Sequence, residues 1–127
     1  MSKFSVVAAA AAVVLMSGSA AMAAGNAAEG EKVFKRSCGS CHVATKDGPK
    51  RLGPSLFGIV GRQAGTVEGF KYSDAMKNSG FTWDEATLDK YLTSPKTAIP
   101  GNKMVFPGLT KADDRANVIA YLKEATQ

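Results

Sequence analysis

Apolar positions recur with helical spacing in three parts of the chain, and the stretches between them lack such a period. Residues 25–37 have acidic side chains early and basic side chains late, as a helix dipole favours. Residues 82–93 begin at Thr82 with the spacing of a capping box and stop before Pro95. A last segment opens at Thr110, with acids in its first turn, and continues to the end of the chain. The pattern predicts a helix in each part.

Weaker signals add one short helix and two long loops. Ser73 can cap a segment from Asp74 to Asn78 before Gly80 stops it. Residues 43–69 are punctuated by glycine and proline, and residues 95–108 form a second loop. A structureless stretch as long as the first loop is unusual in a compact domain unless it wraps a cofactor. The apolar residues that could face such a cofactor, or fill the core, are Leu52, Leu56, Phe57, Ile59 and Val60.

One glycine lies inside a helical pattern. Gly30 costs the first helix about 1 kcal/mol relative to alanine unless a close packing partner requires it. We therefore expect another helix to cross the first at this point. No strand, repeat or second domain is indicated, so the predicted fold class is all-α.

The N-terminus has the composition of a cleavable secretory signal peptide. Lys3 provides the charged start, residues 4–16 the apolar middle, and Ala21-Met22-Ala23 the small-residue cleavage site. An uncleaved membrane anchor is the alternative, but this apolar run is shorter than the roughly 20 residues that span a bilayer. We expect residues 1–23 to be removed, leaving 127 − 23 = 104 residues, 24–127, as the mature domain.

The chemistry of the chain is concentrated in the sequence Cys38-Gly39-Ser40-Cys41-His42. It holds both cysteines and the one histidine of the chain. Two thiols separated by two residues can add to the two vinyl groups of one haem, while the imidazole that follows binds the iron from one face. The motif predicts one haem c attached through two thioethers, with Cys38 and Cys41 as the tethers and His42 as an iron ligand.

Three other uses of these residues agree less well with the rest of the chain. A thioredoxin-like dithiol follows a β-strand, and nothing upstream of Cys38 has a strand pattern. A structural zinc site needs four ligands, usually cysteine and histidine, and the motif exhausts both residue types. A plain disulfide leaves the position of His42 unexplained.

The charge balance is modestly basic, with 16 Lys and Arg against 11 Asp and Glu. Removing Lys3 with the signal peptide leaves 15 − 11 = +4 on the mature polypeptide. Such a balance suits an acidic protein, an anionic lipid surface or nucleic acid. No run of Lys and Arg with interleaved aromatic residues is present, and export also argues against nucleic acid, so we expect none to be bound.

A second axial ligand from this chain must be something other than histidine, because His42 is the one histidine. The position holds methionine or another donor, or it is open. Two methionines follow the signal peptide, Met76 in the predicted short helix and Met104 in a loop fixed by Pro100 and Gly101. The residues alone favour Met104 and leave Met76 open, because methionine is ordinarily a core gap-filler.

Motifs spread along the chain resemble those of class I cytochromes c, especially mitochondrial cytochrome c and periplasmic bacterial cytochromes of the c-two type. The resemblance covers essentially all of residues 25–127. The motifs that carry it are Cys38 to His42, Leu52-Gly53-Pro54, Gly69 to Ala75, Thr82-Trp83, Tyr91-Leu92, Pro95-Lys96, Ile99-Pro100-Gly101, Lys103-Met104 and Leu122-Lys123. It implies the class I cytochrome c fold, with about four to five helices and long loops wrapped around one covalently bound haem. It also implies His/Met ligation, with Met104 as the second ligand.

The resemblance further implies roles for residues around the haem. The carbonyl of Pro54 would accept a hydrogen bond from His42, and Tyr91 would place its hydroxyl near the sulfur of Met104. Arg62, Tyr72 and Trp83 would donate hydrogen bonds to the haem propionates. Phe106 would lie beside the exposed haem edge.

Two positions depart from the vertebrate pattern. Asn102 stands where a threonine bonds a propionate, and Met76 stands where an asparagine lies beside a buried water. At the other side of the fold, Gly30 and Phe34 would contact the last helix.

The function implied is one-electron transfer by a soluble, monomeric periplasmic carrier. Two filled axial positions leave no place for a substrate at the iron, and no nucleophile or acid/base pair is present, so we expect no enzyme activity. The donor would be a cytochrome bc complex or a dehydrogenase, and the acceptor a terminal oxidase or photosynthetic reaction centre. These acidic partners would dock transiently on basic residues around the haem edge, and membrane contact would be peripheral at most. The basic residues are Lys32, Lys35, Arg36, Lys50, Arg51, Lys96, Lys103 and Lys111.

Two other functions stay open at this point. A haem with an open or labile sixth position would do peroxidase or gas-binding chemistry, and its reduced form would bind carbon monoxide rapidly. A carrier dedicated to one periplasmic dehydrogenase would differ from a respiratory shuttle only in its kinetics with candidate donors.

Overall fold

The computed structural model describes residues 25–125, and the expected signal peptide lies outside this range. Five helices lie within it: α1 (Ala27–Ser37), α2 (Asp74–Lys77), α3 (Glu85–Thr93), α4 (Pro95–Ala98) and α5 (Ala112–Glu124). The same range contains no strand, only an isolated bridge between Gln63 and Thr82. The all-α prediction is confirmed. None of the helices in this part of the chain has the length and apolar character to cross a membrane.

The first and last helices pack against each other at Gly30. A Cβ at this position would overlap the backbone carbonyl of Asn117 in α5 and lie 2.9 Å from the Cβ of Tyr121. Farther along α1, the rings of Phe34 and Tyr121 are 5.5 Å apart. The predicted helix crossing is therefore confirmed, and its physical reason is that the two backbones approach too closely for any side chain.

The middle of the chain is largely loop, and backbone hydrogen bonds hold its segments to one another. Leu56 N–H donates to the Val43 carbonyl at 2.8 Å, and Ala64 N–H donates to the Phe81 carbonyl at 2.7 Å. Ile59 is buried in the core, whereas Leu52 is 85% exposed and so does not fill it. The core combines both ends of the chain with this loop; its members are Val33, Phe34, Ala44, Ile59, Ala64, Trp83, Leu88, Tyr91, Leu92, Ile99, Leu109, Val118, Ile119 and Leu122.

Helix α2 begins as predicted, with the Ser73 hydroxyl accepting a hydrogen bond from Met76 N–H at 3.1 Å. The predicted capping box at Thr82 is wrong. The N-cap of α3 is Asp84, whose carboxylate accepts from Thr87 N–H at 2.7 Å. Thr82 instead pairs with Gln63, a contact for which the local sequence carries no signal.

The predicted loop after Pro95 is also partly wrong, because Pro95 opens the short helix α4. Proline suits the first position of a helix, since that N–H has no intrahelical partner in any case. Helix α5 begins at Ala112 with Lys111 at its N-cap, two residues later than the predicted start at Thr110.

Candidate functional site

The Cys38–His42 motif forms a turn that continues directly from the C-terminal end of α1. Cys38 N–H donates to the Phe34 carbonyl at 2.7 Å, and His42 N–H donates to the Cys38 carbonyl at 2.9 Å. Both cysteine side chains are half-buried free thiols. The motif thus follows a helix and not a strand, unlike the thioredoxin-like alternative.

The imidazole of His42 is fixed by the backbone that faces it. Its Nδ1 lies 2.8 Å from the Pro54 carbonyl oxygen, and since a carbonyl only accepts, the proton is on Nδ1. Gly53 passes so close that a Cβ there would lie 2.7 Å from Nδ1, and its N–H donates to the Cys41 carbonyl. This tautomer leaves the lone pair on Nε2, the atom that would bind a metal.

Burial sets the protonation of the motif. It lowers the pKa of His42 below its ordinary value, although the bond to Pro54 acts in the opposite direction. It also raises the pKa of Cys38 to about 11, with the nearby Cys41 adding to the effect. At neutral pH the imidazole is therefore neutral and able to ligate, and the Cys38 thiol is protonated. A redox-active dithiol has a lowered thiol pKa instead, so the electrostatics disfavour that alternative.

The sulfur of Met104 accepts a hydrogen bond from the Tyr91 hydroxyl at 3.3 Å. Tyr91 is buried in the core on α3, and burial raises its pKa to about 12, so the hydroxyl keeps its proton and can donate. Met76 is also partly buried against the core, but no hydrogen bond reaches its sulfur from residues 25–125. The structure thus singles out Met104 as the methionine whose sulfur is held by a neighbour.

Asn102 connects the Met104 loop to α4. Its Nδ2 donates to the carbonyls of Pro95 and Ile99 at 2.9 and 2.7 Å, and its Oδ1 accepts from Met104 N–H at 2.9 Å. The sequence marked Asn102 only as a departure from a family pattern. These three contacts lie within seven residues along the chain, but the sequence does not show them because they depend on the conformation of the loop.

The pairing of two loop segments brings Arg62 and Trp83 together, and Tyr72 lies near the Arg62 guanidinium. Trp83 N–H donates to the Arg62 carbonyl, and Gly61 N–H donates to the Trp83 carbonyl, both at 2.8 Å. The Tyr72 hydroxyl accepts from Val67 N–H at 3.1 Å. Burial raises the pKa of Tyr72, while the Arg62 guanidinium nearby opposes that shift. Arg62 therefore lies near both of the other residues expected to bind the propionates.

Phe106 packs partly buried against the core at the surface end of the Met104 loop. Together with neighbouring residues it lines a groove of about 380 Å³. Val105 beside it is 99% exposed. The groove is lined by Ser94, Lys96, Val105, Phe106 and Pro107.

Arg115 of α5 is a residue that the sequence did not reveal. Its Nε lies 2.7 Å from the carboxylate of Asp89 in α3, and its Nη1 donates to the carbonyls of Leu109 and Thr110 at 2.8 and 3.3 Å. Leu109 N–H in turn donates to the Leu92 carbonyl at 2.7 Å. The segment that follows the Met104 loop is thereby tied to both long helices beside it.

The eight basic residues grouped by the family resemblance are all exposed. The three on α1 are compensated, since Lys32, Lys35 and Arg36 each form an ion pair with an acidic side chain. Lys103 donates to the Lys71 carbonyl at 3.3 Å. The remaining four form no ion pair with any residue from 25 to 125; they are Lys50, Arg51, Lys96 and Lys111.

The donor set fits a covalently held haem. It offers two free thiols on one turn, a neutral imidazole of fixed tautomer, and a thioether held by a buried hydroxyl. In residues 25–125 no three His, Cys, Asp or Glu side chains are arranged to hold a metal ion by themselves.

Comparison with known proteins agrees with this fit. The family model described as Cytochrome c matches residues 27–126. A cytochrome c of Chlamydomonas reinhardtii is 55% identical over 103 residues, which cover 81% of this chain and 92% of the relative. A cytochrome c2 of Rhodomicrobium vannielii is 56% identical over 107 residues, covering 84% of this chain and 83% of the relative. The solved structure of cytochrome cH from Methylobacterium extorquens superposes with a TM-score of 0.72 at 48% identity, covering 79% of this chain and 99% of that one.

Proposed function

Since this chain belongs to the cytochrome c family, we propose that it is a periplasmic one-electron carrier whose haem iron is bound by His42 on one side and Met104 on the other. The family assignment itself makes the chain an electron carrier with one haem c attached through two thioethers. The observation that carries the proposed ligation is the pairing of a fixed His42 tautomer with a hydrogen-bonded Met104 sulfur.

The residues of the chain perform four tasks in this function. Cys38 and Cys41 hold the cofactor covalently, and His42 presents Nε2 because Pro54 engages Nδ1. The bound haem supplies an iron that gains and loses one electron. Tyr91 donates to the Met104 sulfur and so draws electron density from it, which tunes the iron through its axial ligand. With His42 and Met104 both bound, the iron would have no place left for a substrate, as expected of a carrier.

We further propose that partners dock on the surface around the groove beside Phe106. Exposed Val105 gives this surface an apolar centre, and Lys96, which forms no ion pair with residues 25–125, adds a positive charge at its edge. Such a surface suits a brief encounter with an acidic redox partner, such as a cytochrome bc complex or dehydrogenase as donor and an oxidase or reaction centre as acceptor. The carrier acts as a monomer in this scheme.

Residues 1–23 are proposed to direct export and to be cleaved. Purified protein from the periplasmic fraction should begin at Ala24 and have the mass of the 104-residue chain plus one haem. Recovery of the full-length chain from the membrane fraction would contradict this part of the proposal.

The ligation is tested by a redox-titrated absorption spectrum of the purified holoprotein. The ferric form should show the charge-transfer band of methionine on haem iron, and the reduced form should bind carbon monoxide only slowly. Met104→Leu should abolish the band and open the iron to carbon monoxide. Met76→Leu is the matched control and should retain both properties. A band that survives in Met104→Leu would refute the assignment.

The docking surface is tested by the rate of reduction by an acidic redox partner at several ionic strengths. The rate should fall as salt is added, because screening weakens the attraction between the two surfaces. Lys96→Glu should lower the rate at low salt. Lys90→Glu makes the same charge change on α3, where Lys90 lies over the Phe81 ring, and should have a smaller effect. Equal effects of both variants would show that only net charge matters.

A further inference from the structure

The side chain of Asn102 makes three hydrogen bonds to the segment from Pro95 to Met104. Both Nδ2 protons are donated, to the carbonyls of Pro95 and Ile99, and Oδ1 accepts the N–H of Met104. We propose that Asn102 is a positioning residue that holds Met104 on the iron. This inference rests on the ligation by Met104 proposed above.

The two donated bonds attach the loop to both ends of α4. The Pro95 carbonyl, at the start of the helix, already accepts from Ile99 N–H, and the Ile99 carbonyl, just past its end, already accepts from Asn102 N–H at 3.2 Å. The Asn102 amide adds a second donor to each carbonyl. Because the Pro95 side chain is fully buried, α4 is a fixed platform for the loop.

The accepted bond acts on the methionine itself. Oδ1 of Asn102 fixes the backbone N–H of Met104 at 2.9 Å, while the Tyr91 hydroxyl reaches both Oδ1 at 3.5 Å and the Met104 sulfur at 3.3 Å. A hydroxyl has one proton, and 3.5 Å is long for an O–H···O bond. Because 3.3 Å to the larger sulfur atom is the better contact, the Tyr91 proton goes to Met104. Asn102 therefore holds the backbone of Met104, while Tyr91 holds the Met104 side chain.

If Asn102 holds Met104 in this way, the Met104 loop should open more often when the Asn102 amide is removed. Imidazole from solution can bind the ferric iron only when Met104 has left it, so its apparent affinity scales with the population of the open loop. Asn102→Asp keeps the acceptor but replaces the two donors by an oxygen that faces two carbonyls. Losing two neutral hydrogen bonds should raise the open population, and tighten imidazole binding, by about tenfold or more. Asn102→Leu removes all the bonds at similar size and should act in the same direction.

The experiment is an imidazole titration of the ferric holoprotein, followed by absorption, beside denaturant unfolding of the same samples. Asn117→Ala is the matched control, because it removes a side chain whose Oδ1 accepts from Asn26 N–H at 2.8 Å between α1 and α5, remote from Met104 in sequence. It should lower the unfolding midpoint and leave the imidazole affinity unchanged.

Three results would overturn the inference. If wild-type ferric protein lacks the methionine band, the proposed ligation fails and this inference fails with it. If the band is present but both Asn102 variants bind imidazole as the wild type does, only the positioning role fails. If Asn117→Ala tightens imidazole binding as much as Asn102→Leu at an equal loss of stability, Asn102 contributes only to general stability.

Discussion

Replacing Arg115 by methionine should destabilise the protein far more than the same change at a comparable exposed arginine. Arg115 is 13% exposed and contacts Asp89 and the carbonyls of Leu109 and Thr110. Arg115→Met keeps most of the apolar stem and removes every one of these contacts. The matched control is Arg36→Met, because Arg36 also pairs with an aspartate, at 3.3 Å, but is 61% exposed.

The magnitude follows from the contacts that are lost. A hydrogen bond from a charged donor is worth roughly 1.5–3 kcal/mol, and the one to the Leu109 carbonyl at 2.8 Å belongs to this class. The carboxylate of Asp89 is 31% exposed and can turn to water, so the ion pair adds only about 1 kcal/mol. We expect a total loss of about 2–4 kcal/mol for Arg115→Met. Asp89→Asn, which leaves both carbonyl contacts in place, should cost about 1 kcal/mol or less.

The assay is urea unfolding of the holoprotein followed by far-ultraviolet circular dichroism. A lower midpoint with an unchanged slope reports a change in stability alone. Arg36→Met should remain within about 0.5 kcal/mol of the wild type, as surface substitutions usually do. If Arg115→Met also stays within about 0.5 kcal/mol of the wild type, the contacts of Arg115 do not stabilise the fold. If Asp89→Asn costs as much as Arg115→Met, the carbonyl contacts contribute nothing.

Three further substitutions test other parts of the fold. Gly30→Ala should destabilise the protein by about 2 kcal/mol, because the cost of the overlap with α5 exceeds the roughly 1 kcal/mol gained in helix propensity. Ala28→Gly, at an exposed position of the same helix, measures the propensity alone. A Gly30→Ala protein more stable than the wild type would refute the close crossing. Gly53→Ala should displace the His42 ring and alter the ferric spectrum, and an unchanged spectrum would show that the ring tolerates a Cβ. Asp84→Ala should destabilise at neutral pH. Backbone hydrogen bonding lowers the pKa of this carboxyl, so the carboxylate stabilises the fold at pH values above its ordinary pKa and loses this effect as the pH falls through the lowered pKa. Denaturation at successively lower pH should therefore show the wild type and the variant converging in stability. A constant difference between them would contradict this.

The parts of the fold that the sequence predicted are those that depend on neighbours along the chain. The periodicity of α1 and the cap of α2 at Ser73 are local, and both agree with the structure. The family resemblance rests on short motifs such as Cys38–His42 for the same reason.

The errors arise where a distant segment decides the outcome. Thr82 was predicted to cap α3 but is engaged by Gln63, and Asp84 caps the helix instead. The end of α3 before Pro95 is predicted correctly, but the loop expected from Pro95 onward is interrupted by α4, which Pro95 opens. The contact of Arg115 with Asp89 spans 26 residues and leaves no mark on either local pattern.

The pairing of α1 with α5 also fixes the order in which this chain can become ordered. Helix α1 has 11 residues, fewer than the roughly 12–15 that an isolated helix needs to persist in water. Its partner α5 is synthesised much later, so a nascent polypeptide carries α1 without support until residues 112–124 arrive. We therefore expect a chain truncated before α5 to leave the Cys38–His42 turn unfolded and accessible.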